Sequence, residues 1–253
     1  MAELVKVALD AMGGDNAPGE IVKGAVEAVQ ACDNLMVYAV GDETAVKAEL
    51  AKYTYDTSRI EVVHASEVIE TAEPPVNAIR KKKDSSIVKA MMMVKNKECD
   101  AFVSAGSTGA VLVGGQVLVG RIKGVERPPL APLIPTKTGF SLIIDCGANV
   151  DARPSFLVQF AKMGSVYMEK VAGCANPRVA LLNNGAEDTK GTPVHIEANA
   201  LLRQNKAIDF IGNIEARDVP EGVADVIVAD GFSGNVLLKC IEGTAKFLMK
   251  NCN

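Results

Sequence analysis

Four glycine-centred segments stand where short hydrophobic runs end: Asp10-Ala-Met-Gly-Gly-Asp15, Ser104-Ala-Gly-Ser-Thr-Gly109, Asp145-Cys-Gly-Ala-Asn149 and Asp230-Gly-Phe-Ser-Gly-Asn235. A short apolar run that stops at such a loop and restarts as a helix is a β-α unit, and repeated units build a parallel sheet. Sheets of that kind place ligands outside the carboxyl ends of their strands. The four loops are therefore expected to line a crevice with backbone N–H groups, hydroxyls and carboxylates. Such a lining suits an anion such as phosphate.

The same rhythm runs along the whole chain. Leu4–Leu9 reads as a strand, and Pro18 opens a helix in which Ile21, Val22, Ala25, Val26 and Val29 keep the helical period. Strand Leu35–Val40, a polar helix from Glu43 to about Lys52 and strand Arg59–His64 complete a β-α-β-α-β order with right-handed crossovers. Pro74 and Pro75 restart the chain, and Ser85 or Ser86 caps the next helix. Asp100–Val103 is the next strand, and the apolar, glycine-rich stretch Ala110–Gly120 reads as a buried helix that ends near Lys123. Pro128, Pro129, Pro132 and Pro135 predict an extended, irregular crossing, a candidate hinge or subdomain boundary within one domain spanning residues 1–253. Beyond it lie strand Phe140–Asp145, a helix from Pro154 to about Val171 and strand Arg178–Leu182. A polar loop Asn183–Thr192, a helix over Pro193–Asn205, strands Ala207–Gly212 and Asp225–Ala229 and a last helix from near Ser233 follow.

Composition narrows the class. The apolar share of 48% and charged share of 23% belong to an ordinary globular chain, and with no Trp the core must be aliphatic. A net charge of −4 argues against a general nucleic-acid binder, so an acidic partner must meet a local basic patch. Cys32, Cys99, Cys146, Cys174, Cys240 and Cys252 form no C-x-x-C pair, which speaks against a disulfide framework and against a zinc site. The N-terminal residues run directly into a strand without a signal-peptide pattern, and no apolar run reaches the roughly 18 residues of a membrane span. A reduced protein of the cytoplasm is the expectation.

Ser104–Gly109, between a strand and a helix, is the strongest anion-site candidate: a helix start offers N–H donors, and Ser107 and Thr108 add hydroxyls. Neither G-x-G-x-x-G nor G-x-x-x-x-G-K-[ST] occurs, which weakens a dinucleotide enzyme and a P-loop nucleotidase. His64 and His195 are the only histidines, and a surface or capping role is expected for both. Cys146 sits in a glycine loop as a potential acyl-accepting thiol, yet a free cysteine usually behaves as a small buried hydrophobe. Arg80 and Lys83, at i and i+3, are expected to share a helical face toward an acidic ligand. In Glu187-Asp-Thr-Lys-Gly191, Lys190 is placed to reach the same crevice.

With these loops in view the chain resembles the bacterial phosphate acyltransferase family, the acyl-carrier-protein:phosphate transacylases of phospholipid synthesis. The resemblance is carried in order by Val7–Asp15, Ser104–Ala110, Val119–Gly124, Asp145–Asp151, Met163–Tyr167, Glu187–Gly191, Gly212–Asp218 and Asp230–Asn235. It implies a three-layer α/β/α fold with a mostly parallel sheet, related to phosphotransacetylases and to isopropylmalate dehydrogenase-like folds. It implies transfer of a long acyl chain from acyl carrier protein to inorganic phosphate, with no cofactor and no metal. The acyl phosphate then serves a downstream membrane glycerol-3-phosphate acyltransferase. A homodimer with peripheral contact at the inner face of the cell membrane is also implied. Family members continue for several tens of residues past Asn253 with a helical extension, and they do not require a cysteine at Cys146.

The chemistry agrees, because a thioester is already activated and phosphate near neutral pH attacks it directly. The protein must hold phosphate against the carbonyl and stabilise the developing oxyanion. Lys190 is expected to neutralise charge; Gly13, Gly14, Asp15 and the loop Ser104, Gly106, Ser107, Thr108 and Gly109 to bind phosphate or oxyanion. Asn149 and Asn235 are expected to add hydrogen bonds, Arg80 and Lys83 a cationic wall, and Arg121, Lys123 and Arg127 a docking patch for acidic carrier protein. Three other readings compete: an isopropylmalate-type dehydrogenase, a short-chain phosphotransacetylase using coenzyme A thioesters, and a non-catalytic scaffold that binds acyl carrier protein.

Overall fold

The computed structural model describes residues 3–251. The chain divides into two compact units, Met1–Lys123 and Gly124–Asn253, each built around its own sheet. The division falls just ahead of the proline-rich crossing.

The first unit runs β1 (Val5–Asp10), α1 (Gly19–Ala31), β2 (Leu35–Gly41), α2 (Glu43–Leu50), β3 (Ile60–His64), α3 (Pro75–Lys81), α4 (Ser86–Lys95), β4 (Ala101–Val103) and α5 (Thr108–Gly114). Its four strands lie in the order β3-β2-β1-β4, all parallel, with Val5 opposite Leu35 and Asp10 opposite Val40. Successive residues of a strand face opposite sides. Val37 and Ala39 accordingly pack with Val22, Val26 and Val29 of α1 and Val46 of α2. Ala8 and Val40 pack with Ala90 on α4 beneath the other face. Local chemistry sets the helix starts: Asp42 accepts from the Ala45 amide at 2.8 Å ahead of α2, and Ser85 accepts from the Val88 amide ahead of α4.

The second unit runs β5 (Leu133–Thr136), β6 (Gly139–Ile144), α6 (Pro154–Lys170), β7 (Arg178–Asn183), α7 (Pro193–Gln204), β8 (Asp209–Glu215), β9 (Val226–Val228) and α8 (Gly231–Asn251). The order is β5-β6-β9-β7-β8, with only β5 antiparallel. The last strand in sequence thus lies between β6 and β7, and all three of its valine and isoleucine residues are buried. Leu142, Ile144, Leu181 and Val226 meet Phe156, Leu157 and Phe160 of α6 on one face. Ile143, Ala180, Leu182 and Ile227 meet Val219 and Leu237 on the other.

Several expectations are corrected. The proline-rich crossing is not wholly irregular: Leu133–Thr136 pairs with β6 as a hairpin, and Pro135 is tolerated because β5 is an edge strand. The apolar stretch Ala110–Gly120 is not a buried helix. Ala110 and Gly114 are buried, but Val117 and Val119 are 67% and 43% exposed, and the helix ends in a π turn at Val119 rather than near Lys123. A stretch apolar on every side carries no stripe to say which face turns inward; the small side chains decide it. The strand expected at 207–212 lies at Asp209–Glu215, since Asn205 first closes a turn with the Ile208 amide. Helix α3 stops at Lys81, so Arg80 and Lys83 share no helical face. Lys83 instead donates to the Ile79 carbonyl at 3.3 Å, closing the helix end.

One ion pair fastens the entry to the second sheet. Asp225 Oδ2 accepts from the Arg178 amide at 2.8 Å, and its two oxygens accept from the Arg178 guanidinium at 3.0 and 3.1 Å. Burial alone would raise the Asp225 carboxyl, but the hydrogen bonds and charge of Arg178 outweigh it and hold it below its ordinary value of 3.8. A carboxyl depressed in the folded state contributes stability that is complete above about pH 4 and lost as pH falls through the folded value. Asp225→Asn is expected to cost about 1–2 kcal/mol at pH 7, the half-exposed guanidinium limiting the loss. The gap in Tm between wild type and variant should narrow as pH falls below about 4; a gap constant from pH 7 to pH 3 would contradict this account.

Candidate active site

In the first unit the loops after β1 and β4 are bound to each other through Asp10, which has no solvent exposure. Its Oδ2 accepts from the Ser104 hydroxyl at 2.7 Å, the Ser104 Oγ accepts from the Gly106 amide at 3.0 Å, and Oδ1 accepts from the Met12 amide. Gly13 has to be glycine: a Cβ there would lie 2.3 Å from Asp10 Oδ2 and 2.8 Å from the Gly106 nitrogen. Ser107 is buried and its hydroxyl accepts from the Ala110 amide as the cap of α5. Thr108 and Asp15 are exposed, Gly14 has φ of 106°, and Gly109 packs on Pro75 at the start of α3. Arg80 and Lys83 are both exposed. Arg121 and Lys123 are exposed at the end of this unit, and Arg127 is exposed near the start of the second.

The other loops assemble within the second unit. Asp145 is fully buried at the end of β6; Oδ1 accepts from the amides of Leu130 at 2.9 Å and Ala148 at 3.2 Å. Its Oδ2 accepts from Asn149, from the amide at 2.7 Å and from the side-chain Nδ2 at 2.9 Å. Asn149 Nδ2 also donates to the Pro128 carbonyl, so the Asn149 side chain holds the loop together. The Asn149 carbonyl accepts from the Gly231 amide at 2.8 Å, which seats the start of α8 on this loop, with exposed Asn235 beside Gly147. Asp230 caps α8, its Oδ1 accepting from the Phe232 and Ser233 amides at 3.0 and 2.8 Å.

The loop after β7 is fixed by a polar chain. Asn213 Nδ2 donates to the Glu187 carbonyl and Asn199 Nδ2 to Asn213 Oδ1, both at 2.8 Å. Arg203 Nε donates to Asn199 Oδ1 at 3.1 Å, while its guanidinium pairs with Asp188. Asn183 Nδ2 holds the Lys190 carbonyl at 3.0 Å. Lys190 is exposed, its stem lying across Gly185. Gly191 has φ of 93°, and a Cβ there would meet Asn183 Oδ1 at 2.6 Å and His195 Cβ at 2.7 Å.

A cavity of about 680 Å³ opens between the ends of β7, α7 and α8. Asn183, Asn184, Thr192, His195 and Ser233 supply its polar lining; Leu182, Phe232, Val236 and Leu237 supply its apolar wall. The first turns of α7 and α8 both reach it with the partial positive charge of a helix start, although the Gly231, Phe232, Ser233 and Gly234 amides of α8 are already bonded to the Asn149 carbonyl and to Asp230. His195 approaches Asp230 across the cavity edge, Nε2 to Oδ2 at 3.7 Å, with Nδ1 against the Thr192 hydroxyl at 2.8 Å. Asp10, Asp145 and Asp230 head loops expected to line a crevice with carboxylates, but Asp10 and Asp145 turn wholly inward, and His195, expected at the surface or as a cap, is largely buried at the cavity. The signal for the aspartates was present, since each stands at the junction of a hydrophobic run and a glycine loop. For His195 the signal was Thr192-Pro193 at a helix start, which puts the ring back over the cap. Among the described residues no three His, Cys, Asp or Glu side chains converge to hold a metal ion, and no helix is long and apolar enough to cross a membrane.

Cys146 is buried as a small hydrophobe would be, and its thiol is pushed up to about 12, first by burial and then by the neighbouring Asp145 charge. A thiol so raised is protonated near neutral pH and a poor nucleophile. Brief alkylation of the native protein at pH 8 should modify exposed Cys32 and Cys240 and spare Cys146 and Cys99 until denaturant is added. Peptide mass mapping of native Cys146 alkylated as fast as Cys32 would contradict the assignment.

The family model described as "Fatty acid synthesis protein" matches residues 5–252. The phosphate acyltransferase of Clostridium beijerinckii is 51% identical over 245 residues, covering 97% of this chain and 74% of that protein. The phosphate acyltransferase of Syntrophomonas wolfei is 53% identical over 245 residues, covering 96% of this chain and 77% of that protein. Among solved structures, the EutD phosphotransacetylase from Staphylococcus aureus shares the fold, with a TM-score of 0.69 at 20% identity over 96% of this chain and 83% of that one. With more than half of the aligned residues identical to those of both acyltransferases along nearly its whole length, the chain belongs to the phosphate acyltransferase family.

Proposed function

We propose that this chain transfers a long acyl group from acyl carrier protein to inorganic phosphate, giving the acyl phosphate that a membrane acyltransferase uses on glycerol 3-phosphate to make phosphatidic acid. The observation that carries the reading is the divided lining of the cavity in the second unit. Its polar end offers side-chain amide and hydroxyl donors and the positive ends of two helices for phosphate and the thioester oxygen, and its apolar wall of Leu182, Phe232, Val236 and Leu237 suits an acyl chain. Positioning an activated thioester against phosphate and stabilising the oxyanion is sufficient chemistry, so no enzyme nucleophile is invoked and inert Cys146 is no obstacle.

Within this reading Lys190 neutralises the charge that builds on phosphate and carbonyl oxygen. Support comes from its place: its neighbour Gly191 lines the cavity, and Asn183, which lines it too, holds the Lys190 carbonyl. Asn149 and Asn235 act on the same unit's loops, Asn149 chiefly by keeping Asp145 in place. In the first unit, Asp10 holds the loop Ser104–Gly109 in the shape of an anion-binding turn, with Gly13, Gly14 and Asp15 beside it and Arg80 and Lys83 as cations of the same unit. Large apolar side chains exposed near the end of α8, Phe247, Leu248 and Met249, support a covered surface there, as in a homodimer with peripheral membrane contact.

The fold likeness to a phosphotransacetylase favours a second reading, a short-chain enzyme acting on coenzyme A thioesters. Trapping acyl phosphate with hydroxylamine separates the two: palmitoyl-acyl carrier protein should give hydroxamate in a phosphate-dependent way, far faster than acetyl-coenzyme A. Faster turnover of acetyl-coenzyme A would install the second reading, and carrier binding without turnover would leave only a scaffold. Lys190→Ala should lower kcat/KM by about 10²–10³-fold, and wild-type rates in that variant would remove Lys190 from the mechanism. Charge reversal at Arg121, Lys123 and Arg127 should raise KM for acyl carrier protein about tenfold and flatten its salt dependence. An unchanged KM and salt profile would place docking elsewhere.

A further inference from the structure

The proposed transfer leaves one proton unassigned, and the second unit brings one histidine–carboxylate pair to the edge of its cavity. The balance is thioester plus hydrogen phosphate dianion giving acyl phosphate dianion plus free thiol. A C–O bond forms, the C–S bond breaks, and the hydroxyl proton of phosphate ends on the departing sulfur. Sulfur and phosphate hydroxyl lie on different substituents of the tetrahedral carbon, so the proton needs a carrier between them. Histidine is the side chain that both accepts and releases a proton near neutral pH.

His195 fits by position. It lines the cavity while its side chain is only 15% exposed, and the Asp230 side chain against it is 14% exposed. The Thr192 hydroxyl at the head of α7 lies 2.8 Å from Nδ1; in the tautomer whose Nδ1–H donates to that oxygen, Nε2 carries the lone pair. Nε2 lies 3.7 Å from Asp230 Oδ2, beyond hydrogen-bond length, so the nitrogen is not already committed to the carboxylate. Contacts of this kind are often long in a ligand-free site and shorten when substrate binds. Asp230 itself is immobile, because its other oxygen accepts from two amides of α8. Among the described residues Asp230 is the one ion-pair partner of His195. The other polar groups lining the cavity, Asn183 and Asn184 at the end of β7, Thr192 ahead of α7 and Ser233 on α8, carry no charge.

We propose that His195 is the proton carrier of the acyl transfer and that Asp230 is its positioning residue; the proposal rests on the acyl-phosphate reading above. Nε2 takes the proton from phosphate as the phosphate oxygen attacks the thioester carbon, the imidazolium is held beside the Asp230 carboxylate, and the same proton passes to sulfur as the C–S bond breaks. His195 ends the cycle neutral and no redox partner is involved.

Hydroxamate trapping across pH 5.5–9 with palmitoyl-acyl carrier protein provides the test. His195→Gln should lower kcat by about 10²–10³-fold, with KM for phosphate changing less than threefold and the acid limb of the pH profile lost. Asp230→Asn, which keeps an oxygen for the α8 cap, should lower kcat about tenfold and shift that limb. A second measurement needs no variant of the site: the chain has two histidines, so imidazole resonances of wild-type protein titrated with inorganic phosphate should show His195 moving and His64 still, with His64→Gln used for assignment. Wild-type turnover with an unchanged kcat and pH profile in His195→Gln, or no phosphate-induced shift of His195, would overturn the assignment alone. A wild-type protein that gives no hydroxamate from any thioester would overturn the acyl-phosphate reading and the proton carrier with it.

Discussion

Asp145 is out of contact with water and has both carboxylate oxygens committed to four N–H donors. A buried carboxylate without such donors would cost several kcal/mol, so the backbone around it has little freedom to take another path. The donors come from Leu130, ahead of β5, and from Ala148 and Asn149, which follow β6. The Asn149 carbonyl then receives the Gly231 amide and fixes where α8 begins. Asp230, one residue earlier, is thereby set facing His195. One buried charge thus propagates through two loops to the edge of the cavity and sets Asp230 there, while Lys190 and His195 are placed by the separate bonds of the loop after β7 and the head of α7.

Asp10 repeats the device in the first unit with fewer donors. One serine hydroxyl and one amide, that of Met12, stand where Asp145 has four N–H donors, and the glycine loop is pressed so close that Gly13 admits no Cβ. Both aspartates close parallel strands, where the backbone turns away from its ladder and unpaired N–H groups accumulate. A carboxylate at that point satisfies the donors and makes the turn rigid. The glycine loops are therefore less free than their composition suggests, and that rigidity suits sites whose task is positioning rather than bond-making.

Much of this was legible in the sequence, and the failures share a physical cause. Strands β1, β2, β3, β6 and β7 were readable because buried parallel strands are short apolar runs ended by polar punctuation. Helices α1, α4 and α6 were readable from their period and caps. Strand β5 was hidden because proline speaks against strands in general, while the edge position that excuses Pro135 is a tertiary fact. The π turn after α5 was hidden because its residues, Gln116 apart, are glycine or apolar and mark no inward face. His195 was hidden for a similar reason. Thr192-Pro193 places the ring at a helix start, but its carboxylate partner comes 35 residues later, and only the insertion of β9 beside β7 brings Asp230 within reach.

Three carboxylates at strand ends sit oddly beside loops assigned to an anion, and the geometry resolves the conflict. A bare carboxylate facing phosphate would repel it; Asp10 and Asp145 are turned fully inward, each neutralised by hydrogen-bond donors on its own loop. Their negative charge therefore polarises the loops from behind while the loop surface meets the substrate. Asp230 differs in having one oxygen engaged by α8 and one left toward His195. It is the carboxylate with an oxygen still available at the cavity edge, the one that the proposed proton carrier faces. Burial next to an aspartate makes Cys146 inert, because lost hydration and negative charge both disfavour a thiolate. In the second unit the surroundings of each carboxylate thus decide its part: Asp145, sealed by four N–H donors, holds a loop, while Asp230 keeps one oxygen at the cavity edge.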